Sequence, residues 1–112
     1  MFDFGYPKVP QLNVKDLYNA ITNKEDCVIL DVRTVHEYER NKITGSINLP
    51  VDEIDNKVEA LIPNKNKKIY VYCLSGSRSV FAVDAMVKMG YKNVYDIANG
   101  LLAWRVSNYP TV

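Results

Sequence analysis

The segment Ile69-Tyr70-Val71-Tyr72-Cys73-Leu74-Ser75-Gly76-Ser77-Arg78-Ser79 carries an apolar run that stops at a cysteine, then a short polar turn that leads into a helical pattern. In a parallel α/β sheet, ligands bind beyond the carboxyl ends of the strands. The free N–H groups at a helix start attract anions. Cys73 is expected at both features at once. The helix terminus contributes about 0.5–2 kcal/mol toward an anion, and each N–H bond to a charged group about 1.5–3 kcal/mol. Together these favour thiolate over thiol near neutral pH, so Cys73 is expected to be a nucleophile. Gly76 lets the turn take positive φ and aim its amides inward, and Arg78 adds a permanent positive charge nearby. Ser75, Ser77 and Ser79 are expected to orient the loop or cap the helix, because no base accompanies them as nucleophiles.

Other reactive side chains have plainer readings. Cys27 opens the apolar run Cys27-Val28-Ile29-Leu30 and is expected to serve as a small buried residue. Neither cysteine has a partner at metal-ligand spacing, and no metal site is expected. Asp31 and Arg33 end a strand near Cys73, where an ion pair of Arg33 with Glu37 would give them a supporting role. His36 is expected on an exposed helix start and outside the chemistry, since an already ionised thiol needs no base. Trp104, at helical spacing from Leu101, reads as packing.

The elements that must hold this loop can be read from the pattern. Short apolar runs at 9–13, 27–32, 46–49, 68–72 and 93–97 alternate with helix-like segments, the signature of an α/β fold with a parallel sheet. The second and fourth are continuous and β-branched or aromatic, as strands buried on both faces are. Asn13 suits the N-cap of one helix, and Thr34 that of another over 35–40, with Glu37 at the capping-box position. The longest helix is expected over 79–89, buried on most faces and ending at Gly90.

The chain has 112 residues, so a single domain over 1–112 is expected. Its 14 Lys+Arg nearly balance 13 Asp+Glu and are scattered, which leaves no polycationic face for nucleic acid or a membrane surface. Residues 1–8 carry an early acid and no apolar stretch behind a basic start, so they do not read as a secretory signal. No apolar run approaches the ~18 residues of a membrane span. A cytoplasmic location, with both cysteines reduced, is the expectation.

Several motifs in order resemble the rhodanese homology family. Cys73-Leu74-Ser75-Gly76-Ser77-Arg78-Ser79 is similar to its active-site loop, and Asp31-Val32-Arg33 with Glu37-Tyr38 to its first motif. Ile43-Thr44-Gly45-Ser46-Ile47-Asn48-Leu49-Pro50, Gly90-Tyr91 with Asn93-Val94, and Gly100-Leu101-Leu102-Ala103-Trp104 extend the likeness over nearly the whole chain. The resemblance implies a five-stranded parallel sheet flanked by helices on both faces, with the Cys73 strand beside the strand ending at Asp31. It also implies a sulfurtransferase in which Cys73 takes a sulfane sulfur from thiosulfate, a persulfide or a polysulfide, holds it as a persulfide, and passes it to cyanide or a thiol. A persulfide-carrying protein is one such partner, and no metal or organic cofactor is implied.

A Cdc25-like cysteine phosphatase or arsenate reductase is a further alternative; the phosphatases of that type carry a loop one residue longer and a histidine where this chain has Tyr72. Those departures make them the weaker reading. A regulatory binding module on the same fold is the alternative of another class, and the intact Cys73 and Arg78 argue for catalysis. Leu74 stands where many thiosulfate-using members carry a basic residue, Asn41-Lys42-Ile43 where Gly-His-Ile is usual, and Asn99 where a glycine is common. Asparagine tolerates left-handed backbone well.

Overall fold

A computed structural model describes residues 5–112; Met1, Phe2, Asp3 and Phe4, part of the stretch read against a secretory signal, lie outside the described residues. Five strands form one parallel sheet: β1 (Gln11–Leu12), β2 (Val28–Asp31), β3 (Ile47–Asn48), β4 (Ile69–Tyr72) and β5 (Val94–Ile97), in the order β1-β5-β4-β2-β3. Each falls inside its expected range, and β4 lies between β5 and β2, with Asp31 opposite Tyr72.

The side chains of β4 alternate between two cores, as a period of two requires. Ile69 and Val71 join Leu30, Ile54, Val58, Val83 and Met86 on one face. Tyr70 and Tyr72 join Leu17, Ile29, Leu101 and Trp104 on the other. Helices α1 (Val14–Thr22) and α5 (Gly100–Val106) therefore cover one face, and α3 (Ile54–Leu61) and α4 (Ser77–Lys88) the other. Trp104 is buried in its core and donates its indole N–H to the Pro110 carbonyl at 2.9 Å.

Local signals account for the helix starts. Asn13 accepts from the Asp16 N–H while Asp16 accepts from the Asn13 N–H, closing a capping box at α1. Thr34 and Glu37 do the same for α2 (Val35–Arg40). α4 begins two residues earlier than expected and buries one face, through Ser79, Val80, Ala82, Val83 and Met86. Phe81 and Val87 are exposed, which corrects the expectation of burial on most faces. Cys27 is only partly buried, at the edge of the core it packs against. One helix was not anticipated: a 3-10 turn at Val51–Glu53 runs into α3, whose Ile54 and Val58 are buried. No helix among the described residues is long and apolar enough to cross a membrane.

Candidate active site

The fold turns the end of β4 into a sulfur-centred cap for α4. Gly76, the N-cap residue, has φ +108° and offers no side-chain cap. The sulfur of Cys73 takes that place. It accepts the Gly76 N–H at 3.1 Å and the Ser79 N–H at 3.3 Å, and lies 3.4 Å from the Ser79 hydroxyl. A left-handed residue at position 76 lets both amides converge, and glycine takes that conformation without steric cost. An acceptor that receives two N–H bonds at a helix start is electrostatically suited to carry negative charge.

The sulfur is nevertheless fully buried. A cleft of about 520 Å³ opens on the other side of the loop, lined by Ser75, Gly76, Ser77, Asp96, Ala98, Asn99, Gln11 and Tyr6. Gly76 both faces this cleft and bonds the sulfur. Leu74 packs partly buried against the Trp104 core, while Ser75 stays exposed. The loop is also held from β5–α5: the Leu101 N–H donates to the Cys73 carbonyl at 2.9 Å and the Leu102 N–H to the Leu74 carbonyl at 3.0 Å. Asn99 takes the left-handed conformation, φ +60°, that its position requires.

Arg78 does not point its charge at the sulfur unopposed. Its guanidinium forks onto the Glu37 carboxylate, Nη1 to Oε1 at 2.6 Å and Nη2 to Oε2 at 3.0 Å. The same carboxylate accepts the Thr34 N–H at 3.0 Å. The expected Arg33–Glu37 pair is thus replaced. Arg33 instead binds Asp31, with Nη2 at 2.7 Å from Oδ2 and Nε at 3.1 Å from both oxygens. The reason is geometric: a two-residue separation at the strand end lets the guanidinium fold back on Asp31, whose Oδ1 also accepts the Arg33 backbone N–H at 2.9 Å. His36 lies exposed on α2. A smaller cleft of about 230 Å³ beyond Glu37 gathers Arg33, Arg40 and Arg105.

The Arg78 hydrogen bond, working against partial burial and aided by Thr34, holds the Glu37 carboxyl at about 2. A depressed carboxyl contributes stability above its unfolded value, near ~4.3, and loses it as pH falls toward 2. Glu37→Gln should therefore cost about 1 kcal/mol or less at pH 7, as for a partly exposed pair, and that difference should shrink steadily between about pH 5 and pH 2. Urea denaturation at several pH values checks this, and a difference independent of pH would contradict it.

Two residues at the site, Asp96 and Gln11, lie outside the sequence-based expectations. Asp96, in the middle of β5, is fully buried; it accepts the Ser79 hydroxyl at Oδ1 and the Gln11 side-chain amide at Oδ2, the latter at 2.8 Å. Burial pushes its carboxyl above the usual range, while Ser79 and Gln11 pull the other way. A lone acid among Val94, Tyr95 and Ile97 was the available signal for Asp96. Gln11, at the opposite edge of the same pair of strands, gave none.

Residues 13–107 match the family profile of the rhodanese-like domain. A sulfurtransferase of Allochromatium vinosum is 29% identical over 93% of this chain and 95% of its own. A Bacillus subtilis protein described as the sulfur carrier YrkF is 33% identical over 86% of the chain, which spans about half (51%) of that relative's length. The crystal structure of a rhodanese-related protein from Thermoplasma volcanium superimposes with a TM-score of 0.81, at 34% identity over 92% of this chain and 97% of that one.

Proposed function

Because the chain belongs to the rhodanese-like domain family, whose similar members include proteins named as sulfurtransferase and sulfur carrier, we propose that it moves a sulfane sulfur through a persulfide on Cys73. The observation that supports this most directly is the convergence of the Gly76 and Ser79 amides on the Cys73 sulfur.

In the first half-reaction the Cys73 thiolate attacks the outer sulfur of thiosulfate, a persulfide or a polysulfide. A new S–S bond forms, the donor's S–S bond breaks, and sulfite or a thiolate leaves with the electron pair. In the second, cyanide or a thiolate attacks the terminal sulfur and Cys73 leaves as thiolate. The persulfide's outer sulfur lies ~2.05 Å beyond the first, so it must sit among the same loop amides. Since Cys73 is enclosed, the loop 74–78 moves aside for both partners, and the cleft beside Gly76 is the approach. Leu74 supplies no charge for thiosulfate, which favours a persulfide or polysulfide donor. The acceptor includes a thiol on a sulfur-carrying protein, in the cytoplasm, where the two free cysteines stay reduced.

Intact-mass measurement after incubation with thiosulfate or a polysulfide tests the proposal. One added sulfur, removed by a reductant and absent in Cys73→Ser, is the expected result. No adduct with any sulfane donor would favour a binding module instead.

A further inference from the structure

The Cys73 sulfur does not face only amides. It lies 3.4 Å from the Ser79 hydroxyl oxygen, which in turn donates to Asp96 Oδ1, whose other oxygen is held by Gln11 at 2.8 Å. Cys73, Ser79 and Asp96 are all fully buried. The three form a directed chain, S–H to hydroxyl oxygen and O–H to carboxylate, running from the base of the loop into the sheet.

We propose that Cys73 ionises by passing its proton inward, through Ser79 to Asp96, so that the thiolate and a protonated Asp96 occur together. The proposal rests on the thiolate reading above. The balance is internal: the S–H bond breaks as Ser79 Oγ gains that proton, and the original Ser79 hydroxyl proton moves to Asp96 Oδ1. Nothing is released to solvent. The transfer leaves Ser79 donating its hydroxyl to the sulfur anion and Asp96 donating to Ser79, so the anion holds three donors in place of two.

The chemistry of the surroundings favours this direction. A buried carboxylate with no paired cation is costly to keep charged, and burial favours the neutral form of Asp96 more than the Ser79 and Gln11 hydrogen bonds oppose it. Among the described residues its hydrogen-bond partners are Ser79 of α4 and Gln11 of β1, and it has no ion-pair partner. The sulfur, in contrast, receives two backbone N–H groups. The other charged groups around the loop are already matched: Arg78 with Glu37, and Asp31 with Arg33. Moving one negative charge from Asp96, which holds two donors, to the sulfur, which then holds three, places it where more donors converge. Asp96 is a positioning residue here, acting through Ser79.

Infrared spectroscopy of the full chain at neutral pH tests this without any sulfur donor. A carbonyl band of a protonated carboxylic acid is expected in the wild type and is expected to vanish in Asp96→Asn. It should also vanish in Cys73→Ser, whose hydroxyl is far too weak an acid to give its proton to a carboxylate. If Asp96→Asn does not fold, the comparison with Cys73→Ser alone decides. Absence of the band in the wild type, or its persistence in Cys73→Ser, would overturn the relay. Sulfur uptake without the band would defeat the relay and leave the sulfurtransferase reading standing; a band that behaves as described without sulfur uptake would do the reverse.

Discussion

Arg33→Ala is expected to remove about 3–5 kcal/mol of folding stability, the cost of leaving one member of a buried ion pair without its partner. Asp31 is fully enclosed and Arg33 is 2% exposed. The guanidinium donates to both Asp31 oxygens and also to the Asn41 carbonyl at 2.7 Å, and it lies over the Tyr72 ring at 5.8 Å. Burial alone would push the Arg33 ionisation down, but the Asp31 bond and charge more than offset this and raise it. With the guanidinium gone, Asp31 keeps only the Arg33 backbone N–H. Against a typical total of about 5–15 kcal/mol, that loss is a large fraction of the stability and should lower the urea midpoint sharply. Removing both charges, as Asp31→Asn with Arg33→Met, should recover a substantial part, since no unpaired charge remains. Urea midpoints at constant slope measure the cycle. A loss under about 1 kcal/mol for Arg33→Ala would mean that water reaches Asp31 and that the pair does not support the strand end.

Much of this architecture was legible because the central strands are continuous apolar runs buried between two helical layers. Val28-Ile29-Leu30 and Ile69-Tyr70-Val71-Tyr72 can be stable in few other settings, and Asn13 and Thr34 mark helix starts by a local mechanism that needs no tertiary context. The capping box of Glu37 was equally local, yet its bond to Arg78 crosses 41 residues of sequence and could not be read from spacing. Helical spacing would put Arg33 beside Glu37, but Arg33 stands before the helix begins, at a strand end, and its guanidinium folds back on Asp31. The signal for the helix over 54–61 is weaker: Ile54, Val58 and Ile62 recur at intervals of four, with no capping residue to mark its start. The Asp96–Ser79 contact belongs to none of these local rules. It depends on β5 lying beside β4, so that a residue after the fourth strand and one in the middle of the fifth meet behind the same loop.

The largest effect on the loop itself should come from Gly100→Ala. Gly100 has φ +49°, and a Cβ there would lie 2.3 Å from the Cys73 carbonyl oxygen and 2.9 Å from that of Leu74. Both atoms are backbone, so no side chain can swing away. The β5–α5 turn would have to retreat, breaking the Leu101 and Leu102 N–H bonds to those same carbonyls. A left-handed alanine costs roughly 1–2 kcal/mol, and two lost backbone bonds about 0.5–1.5 kcal/mol each, for a total of about 2–5 kcal/mol. Gly90→Ala is the matched control. It too has positive φ, at +98°, but its Cβ would meet only the flexible end of Lys65, at 3.6 Å. It should lose only the left-handed cost of roughly 1–2 kcal/mol while keeping Cys73 alkylation at the wild-type rate per folded molecule. Gly100→Ala should slow that alkylation several-fold or more even in its folded fraction, because the carbonyl it displaces belongs to Cys73. Equal rates in the two variants would show that the sulfur's setting depends on α4 alone and that α5 does not hold it.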